Sequence, residues 1–416
     1  MSIIQNYQNA LQYLNDKVNF EALNKPSQAK YKMSIDHLHE IDAKLGKPHQ
    51  SLKIIHVAGT KGKGSVCCLL EFYLRSLGYQ TGLFTSPHLY KVNERLRING
   101  KEISDSQFSE MIEDFRKIID AQDDKKISYF ETMTFAALLF LKKIKVDWVI
   151  LETGLGGRLD STNIVDPLLS VITRIDLDHT HLLGNTHKLI AFEKAGIIKA
   201  NKPVVVLDQR EDVNKVIEEV AFQKKSPLVF APTKPTGFTN INQLNSAEIE
   251  NLSIAKTVIE KLNEISRVEI NIRKLQKITK LKIPGRYETF PFQNKIIMLD
   301  VAHNYISYEK LIEKIRQEFP KENIAFVFNS SRDKDIENMA RLVNDNFREI
   351  YILPVKSNGR IFDPHELVEK IKFGKPYSDF TSGMEDILAN TNANVIVFTG
   401  SFFLISEVGL YFNRKA

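Results

Sequence analysis

The sequence predicts an α/β protein in two parts, each a parallel sheet with helices laid between its strands, and three observations carry that prediction. From Lys53 onward, short β-branched runs alternate with segments whose apolar residues recur at helical spacing, the signature of βαβ units. One such run, 54–57, passes through a glycine-rich turn into a helical pattern at Ser65. A fresh set of strand-like runs then begins after Pro284 and Gly285.

Taken in order, strands are expected at 54–57, 80–85, 146–151, 169–172 and 203–207. Helices are expected at 65–77, 106–120 and 132–143, with Gly78 placed to end the first. The polar stretch 232–245 carries turn formers and no strand pattern, and 247–265 reads as a helix inside the first domain or at its edge. Pro284 and Gly285 interrupt the pattern, which sets a domain boundary there and divides the chain into 1–283 and 284–416. Beyond it, strands at 296–300, 324–328, 349–353 and 394–399 alternate with helices at 308–319, 335–345, 364–372 and 402–410, giving a smaller Rossmann-like domain. No internal repeat or low-complexity tract stands out.

Composition bounds the function. The chain has 416 residues, 43% of them hydrophobic, enough for substantial cores and for two domains or a little more. Its longest apolar run, 135–141, falls far short of the ~20 residues of a membrane span. Residues 1–16 lack the layout of a signal peptide, so a cytoplasmic protein is expected, with no membrane partner. Cys67 and Cys68 are adjacent in a helical pattern, which suits packing and not a disulfide framework. Lys plus Arg number 57 against 51 Asp plus Glu, but the basic residues are scattered among acidic ones. That pattern argues against nucleic acid and fits either anionic small substrates or a plain solvated surface.

The strongest local signal is the run Gly59, Thr60, Lys61, Gly62, Lys63, Gly64 and Ser65, lying between a strand and a helix. Glycines let backbone N–H groups turn around phosphate oxygens, and the helix start favours an anion. Lys63 adds a mobile positive charge and the Ser65 hydroxyl can hold Mg²⁺. The spacing departs from the common phosphate loop, because Val57 stands at the first glycine position and Gly64 separates Lys63 from Ser65. At the end of another apolar strand, Glu152 emerges at the carboxyl edge of the sheet, where ligands bind. A hard Mg²⁺ ion takes one or two carboxylates, so Glu152 and Ser65 form a plausible first pair of ligands.

These residues resemble the ATP loop of Mur-type ligases, and of folylpolyglutamate synthase/dihydrofolate synthase especially. Further blocks follow in the same order: Ser86-Pro-His-Leu89, Glu94-Arg-Leu-Arg-Ile-Asn-Gly100, Glu152 through Asn163, Asp178-His179, Leu183-Gly184 and Glu193 through Lys199. Pro284-Gly-Arg286, Asp300 through Asn304, Arg332-Asp-Lys-Asp335 and Gly400-Ser401 continue the resemblance through the second domain, so that it spans nearly the whole chain. It implies an N-terminal P-loop-type ATPase domain, ATP and Mg²⁺ as cofactors, and a site between domains. It also implies that Ser65, Ser86 and Glu152 serve one Mg²⁺, that His179 and Glu152 approach a second, and that Lys194 is carbamylated. Lys63, His179 and Lys194 become the catalytic candidates, while Arg286, Asp300 and His303 join the loop as nucleotide-binding candidates. Three departures accompany the match: Lys61 stands where Asn is frequent in bacterial members, Thr153 where Val is, and Val301 where Gly is.

The activity so implied is ATP-dependent joining of L-glutamate to a folate or pteroate carboxyl group through an acyl phosphate, by a monomer. The acceptor, dihydropteroate or a reduced folate, stays open. Two other classes remain at this point: a triphosphatase or switch that consumes ATP with water alone, and a nucleotide-binding module without catalysis. Within the ligase class, another Mur-type amino-acid ligase is the competitor.

Overall fold

Each apolar run expected to form a strand contains one in the computed structural model, which describes residues 3–19, 35–120, 127–239, 241, 244–320, 323–332, 334–356 and 360–415. The chain divides into two compact units: the first runs to His88 and resumes over Val92–Leu281, and the second combines Leu89–Lys91 with the chain from Lys282 onward.

The first unit opens with helices α1 (Ile3–Asn15) and α2 (Asp36–Lys44). There follow β1 (Ile54–Ala58), α3 (Lys63–Ser76), β2 (Thr81–Phe84), β3 (Leu96–Ile98), β4 (Lys101–Glu102), α4 (Asp105–Asp120), α5 (Tyr129–Ile144) and β5 (Trp148–Glu152). The remainder is β6 (Leu169–Ile172), α6 (Thr180–Leu183), α7 (His187–Ala195), β7 (Val204–Leu207), α8 (Glu211–Gln223), β8 (Leu228–Ala231), α9 (Ser246–Ser266) and α10 (Ile272–Lys277). The strands form an eight-stranded sheet in the order β4-β3-β2-β5-β1-β6-β7-β8. β1, β5, β6 and β7 are buried along their whole length, as near-continuous apolar strands covered on both faces must be. One face packs on α4 and α5 through Phe108, Phe115, Phe135 and Leu138, and the other on α3 and α9 through Leu70, Leu74, Ile254 and Val258. Cys67 lies in this second core.

At its edges the sheet departs from the parallel arrangement that the sequence predicts. The sheet is not wholly parallel, because β3 runs antiparallel to β2 and β4 antiparallel to β3. Strands β3, β4 and β8 and helices α1, α2, α6, α7, α8 and α10 lie outside the expected set. Helix α5 begins three residues earlier than its apolar spacing suggests, because Ser128 and Glu131 form a reciprocal capping box.

The second unit contains β9 (Glu288–Phe292), β10 (Lys295–Leu299), α11 (Tyr305–Glu318), β11 (Ile324–Phe328), α12 (Ile336–Asn346), β12 (Glu349–Ile352), α13 (Pro364–Leu367), β13 (Gly374–Pro376), α14 (Phe380–Asn390), β14 (Val395–Thr399) and α15 (Phe402–Lys415). Its sheet order is β13-β12-β11-β14-β10-β9, parallel except for β9, which pairs antiparallel with β10. The expected helix over 364–372 is shorter, with α13 followed by a separate 3₁₀ turn, Val368–Lys370. Asp333 of the Arg332–Asp335 block lies outside the described residues. No helix among the described residues is long and apolar enough to cross a membrane.

Candidate active site

Strand register assembles the site in the first unit. Val57 of β1 is paired with Glu152 of β5, Ala58 with Ile172 of β6, and Phe84 of β2 with Leu151 of β5. Four chain segments therefore leave the sheet side by side at its carboxyl edge: the loop from Gly59, the turn at Ser86, the acid Glu152 and the segment from Thr173. Parallel α/β sheets bind ligands at this edge, because the loops there converge while the strands hold them rigidly.

The glycine loop is tied down at several points. Thr60 and Lys61 donate their N–H groups to the Arg174 carbonyl at 2.8 and 3.1 Å, and the Thr173 hydroxyl donates to the Lys61 carbonyl at 2.7 Å. Two glycines are required by space. A β-carbon at Gly59 would stand 1.8 Å from Thr173 Oγ1, and one at Gly62, where φ is +86°, would stand 2.2 Å from Asn251 Oδ1. Gly62 caps α3, whose first turn holds Lys63, Gly64 and Ser65 and no acidic residue. The early N–H groups of such a helix have no partner within it and carry its positive dipole end, a ready anion site.

Glu152 lies against this turn. Lys63 Nζ is 4.0 Å from Glu152 Oε1, a β-carbon at Gly64 would be 3.4 Å from Oε2, and the Ser86 N–H donates to Oε2 at 3.2 Å. Lys63, Gly64, Ser86 and Glu152 are thus brought to one place, and Ser65 follows in the same helical turn. No group of three or more His, Cys, Asp or Glu side chains able to hold a metal ion occurs among the described residues. The Glu152 carboxylate, with the hydroxyl-bearing residues Ser65 and Ser86 beside it in the chain's turns, would suit Mg²⁺, a cation that keeps its waters and phosphate oxygens and asks few ligands of the protein.

Lys194, near the end of α7, is 4% exposed and donates from Nζ to the Gly59 carbonyl at 2.9 Å. Burial, and next the charge of Lys63, push its amine down to about 7, against the pull of Asp178 and Asp160. A lysine so placed, donating to a carbonyl of the phosphate loop, gives up its proton more readily than an exposed one. His179 stands apart from that contact. It precedes α6 with φ +49°, its Nε2 lies 4.0 Å from Asp178 Oδ1, and its ring neighbours His181. Asp178 also reaches Lys61, at 3.8 Å, and Asp176 is tied to Thr60 through its backbone, its N–H meeting the Thr60 hydroxyl and its carbonyl accepting from it, both at 3.1 Å.

In the second unit, Asp300 follows β10 and is half-buried; loss of solvent around its carboxyl raises its pKa while Arg286 opposes the shift. Both its oxygens are taken by backbone, Oδ2 by the Tyr287 N–H at 2.8 Å and Oδ1 by the Ala302 N–H at 2.7 Å. Asp300 thereby fixes the segments that carry Arg286 and His303. Those two share a neighbour, Phe402: the Arg286 guanidinium lies 5.6 Å from its ring centre and the His303 ring 5.9 Å. Phe402 escaped the sequence reading, since an aromatic residue opening a helix reads as packing.

Three comparisons bear on what this geometry belongs to. The family model described as Mur ligase, glutamate ligase domain, matches residues 285–402. The dihydrofolate synthase/folylpolyglutamate synthase of Bacillus subtilis is 31% identical over 97% of this chain and 98% of its own. The chain belongs to the dihydrofolate synthase/folylpolyglutamate synthase family of Mur ligases. Among solved structures, folylpolyglutamate synthase from Thermotoga maritima matches with a TM-score of 0.81 and 29% identity over 99% of this chain and 97% of that one. Escherichia coli FolC in complex with DHPP and ADP matches with a TM-score of 0.81 and 27% identity over 98% of both chains. Like its family, the protein is an ATP-dependent glutamate ligase. The two-sheet α/β architecture is that of the family.

Proposed function

We propose that this ligase adds L-glutamate to the carboxylate of a pterin-bearing acceptor, dihydropteroate, a reduced folate or both, and that it does so through an acyl phosphate. The observation that carries the proposal is the meeting of Lys63, Glu152 and the Ser86 N–H at the mouth of the phosphate loop, with the Lys194 amine on the Gly59 carbonyl behind it. A free carboxylate resists an amine because it offers no leaving group. Its oxygen attacks the γ-phosphorus of ATP and ADP leaves. The glutamate amine then attacks the acyl carbon, loses a proton, and expels phosphate that retains the carboxylate oxygen.

In this scheme the N–H groups of the α3 first turn and the Lys63 ammonium bind the β- and γ-phosphates and offset charge developing on the transferred group. Thr60, Lys61 and the glycines at 59, 62 and 64 shape the cradle. Ser65, Ser86 and Glu152 would hold one Mg²⁺, with His179 and Glu152 serving a second. Bound there, Mg²⁺ supplies further neutralisation of the phosphates. Lys194 as a neutral amine takes up CO₂ and releases a proton, becoming a carbamate anion. Arg286, Asp300 and His303 form the nucleotide-binding group of the second unit, with Arg286 and His303 presented on Phe402. Residues 1–283 act as the ATP-binding domain and 284–416 as the C-terminal ligase domain. Without an apolar span or signal layout in the sequence and with its basic residues scattered, the protein works in the cytoplasm without nucleic acid, and the family resemblance makes it a monomer.

The test follows the oxygen. With an acceptor labelled with ¹⁸O in its carboxylate, the phosphate released should carry one ¹⁸O atom per turnover. Unlabelled phosphate at a matching rate of ADP release would rule out the acyl phosphate and point to attack by water, the course of a simple triphosphatase.

A further inference from the structure

The segment that follows Glu152 returns over the sheet and is closed by a buried polar chain that plays no part in the scheme above. Asp160, 4% exposed, accepts the Leu155 N–H on Oδ2 at 2.8 Å and the Thr162 N–H on Oδ1 at 3.0 Å, so it draws the glycine-rich stretch before it into a closed loop. The Thr162 hydroxyl bonds the same Oδ1 at 2.5 Å, and His56 Nε2 lies 2.8 Å from Thr162 Oγ1. His56 and Thr162 are both fully buried. The Thr162 hydroxyl has one proton and gives it to Asp160, so its oxygen accepts from His56. His56 therefore carries its proton on Nε2, while Nδ1 is buried with no partner. Burial keeps the imidazole neutral, pushing its pKa down to about 3.

An orphaned ring nitrogen in a strand interior costs stability that leucine or valine at the same place would not. What the histidine gains is a bond between two particular segments. His56 is the central residue of β1, three positions before Gly59, and Thr162 belongs to the loop that begins at Glu152. The hydrogen-bonded chain thus braces the strand feeding the phosphate loop against the loop carrying the acid.

We infer that His56 and Thr162 are positioning residues for the ligase reaction, setting the place of Glu152 relative to the phosphate loop through Asp160. The inference rests on the proposed role of Glu152 in holding Mg²⁺. Outer-shell groups of this kind change metal affinity or activity by about 10–100-fold when removed.

The test compares His56→Leu, Thr162→Val and His56→Gln with the parent enzyme, measuring kcat, KM for glutamate and the Mg²⁺ requirement, the last both as the concentration giving half-maximal rate and as the affinity for Mg²⁺ by calorimetric titration of the enzyme with ADP and no acceptor. The Gln amide can donate from nearly the same point as Nε2. His56→Leu and Thr162→Val should lower kcat by about 10–100-fold and raise the Mg²⁺ requirement by a similar factor, with KM for glutamate unchanged and His56→Gln close to the parent. Should His56→Leu fail to fold, Thr162→Val, nearly isosteric, carries the test alone. A kcat and Mg²⁺ requirement within twofold of the parent in Thr162→Val would overturn the inference, as would a His56→Gln enzyme no better than His56→Leu. Glu152→Gln separates the two levels. If it leaves the Mg²⁺ requirement unchanged, the metal role of Glu152 fails and this inference with it; if it abolishes turnover while Thr162→Val is normal, only the bracing role fails.

Discussion

At Lys194 two effects act in the same direction, burial of the side chain and the charge of Lys63, and together they bring its amine down to about 7. Below that pH the amine is protonated and inert toward CO₂; above it the neutral form predominates. The folded value lies below the ordinary lysine value of 10.5, so between about 7 and 10.5 the unfolded chain binds the extra proton, and this residue's penalty on stability lessens as pH rises through that window. Protein equilibrated with ¹³C-bicarbonate should show a carbamate resonance at pH 8 that fades as pH falls below 7. Lys194→Arg should lack it and turn over at least ~100-fold more slowly, about the effect of losing one preorganised charge; normal turnover in that variant would refute the assignment. A single lysine in a helix gives no sign that it is buried. Its place in the sequence was visible only through the blocks around it, because the burial is made by α7 packing beside β1, a contact between residues far apart in the chain. His56 did stand out in principle, as the one polar residue in the run Ile54–Ala58, yet a histidine in a strand names no partner until Thr162 is folded over it.

Among the elements, those buried on both sides were legible and those at sheet edges were not. β1, β5 and β6 are apolar runs with the length and composition of core strands. By contrast, β3 and β4 are short, half-exposed and charged, and β9 contains Pro291, which belongs at an edge because it has no N–H to pair. One edge feature was readable: Asn99 and Gly100, with φ of +51° and +76°, form the tight turn between β3 and β4 that an Asn-Gly pair favours. The strand-to-helix passage from β1 to α3 makes its own prediction. Gly59→Ala must push Thr173 Oγ1 away from a β-carbon that would otherwise stand 1.8 Å distant, and Thr173 is what holds the Lys61 carbonyl. Urea denaturation should show a loss of about 1–3 kcal/mol, as overpacking of a tight site does, and calorimetric titration should show ATP binding at least ~10-fold weaker, as expected of a displaced phosphate cradle. Unaltered ATP affinity would mean that the loop's shape does not depend on this glycine.

Over the whole molecule, one pattern, short apolar strands alternating with amphipathic helices, is enough to dictate two α/β sheets, and the fold of the family follows it. Chemistry is added at the carboxyl edge of the first sheet, where strand register brings Glu152 beside the phosphate loop. Identity of the acceptor is a matter of surface shape and lies beyond any strand or loop pattern in the sequence. The central claim is that ATP cleavage is coupled to glutamate transfer onto a pterin carboxylate, and the most direct measurement is ADP release with Mg-ATP and L-glutamate, with and without dihydropteroate or tetrahydrofolate, followed by the product masses. Release that requires an acceptor, matched one for one by a pterin heavier by a single glutamyl residue, is the predicted result; ADP released at the same rate without any acceptor, and pterins of unchanged mass, would contradict it.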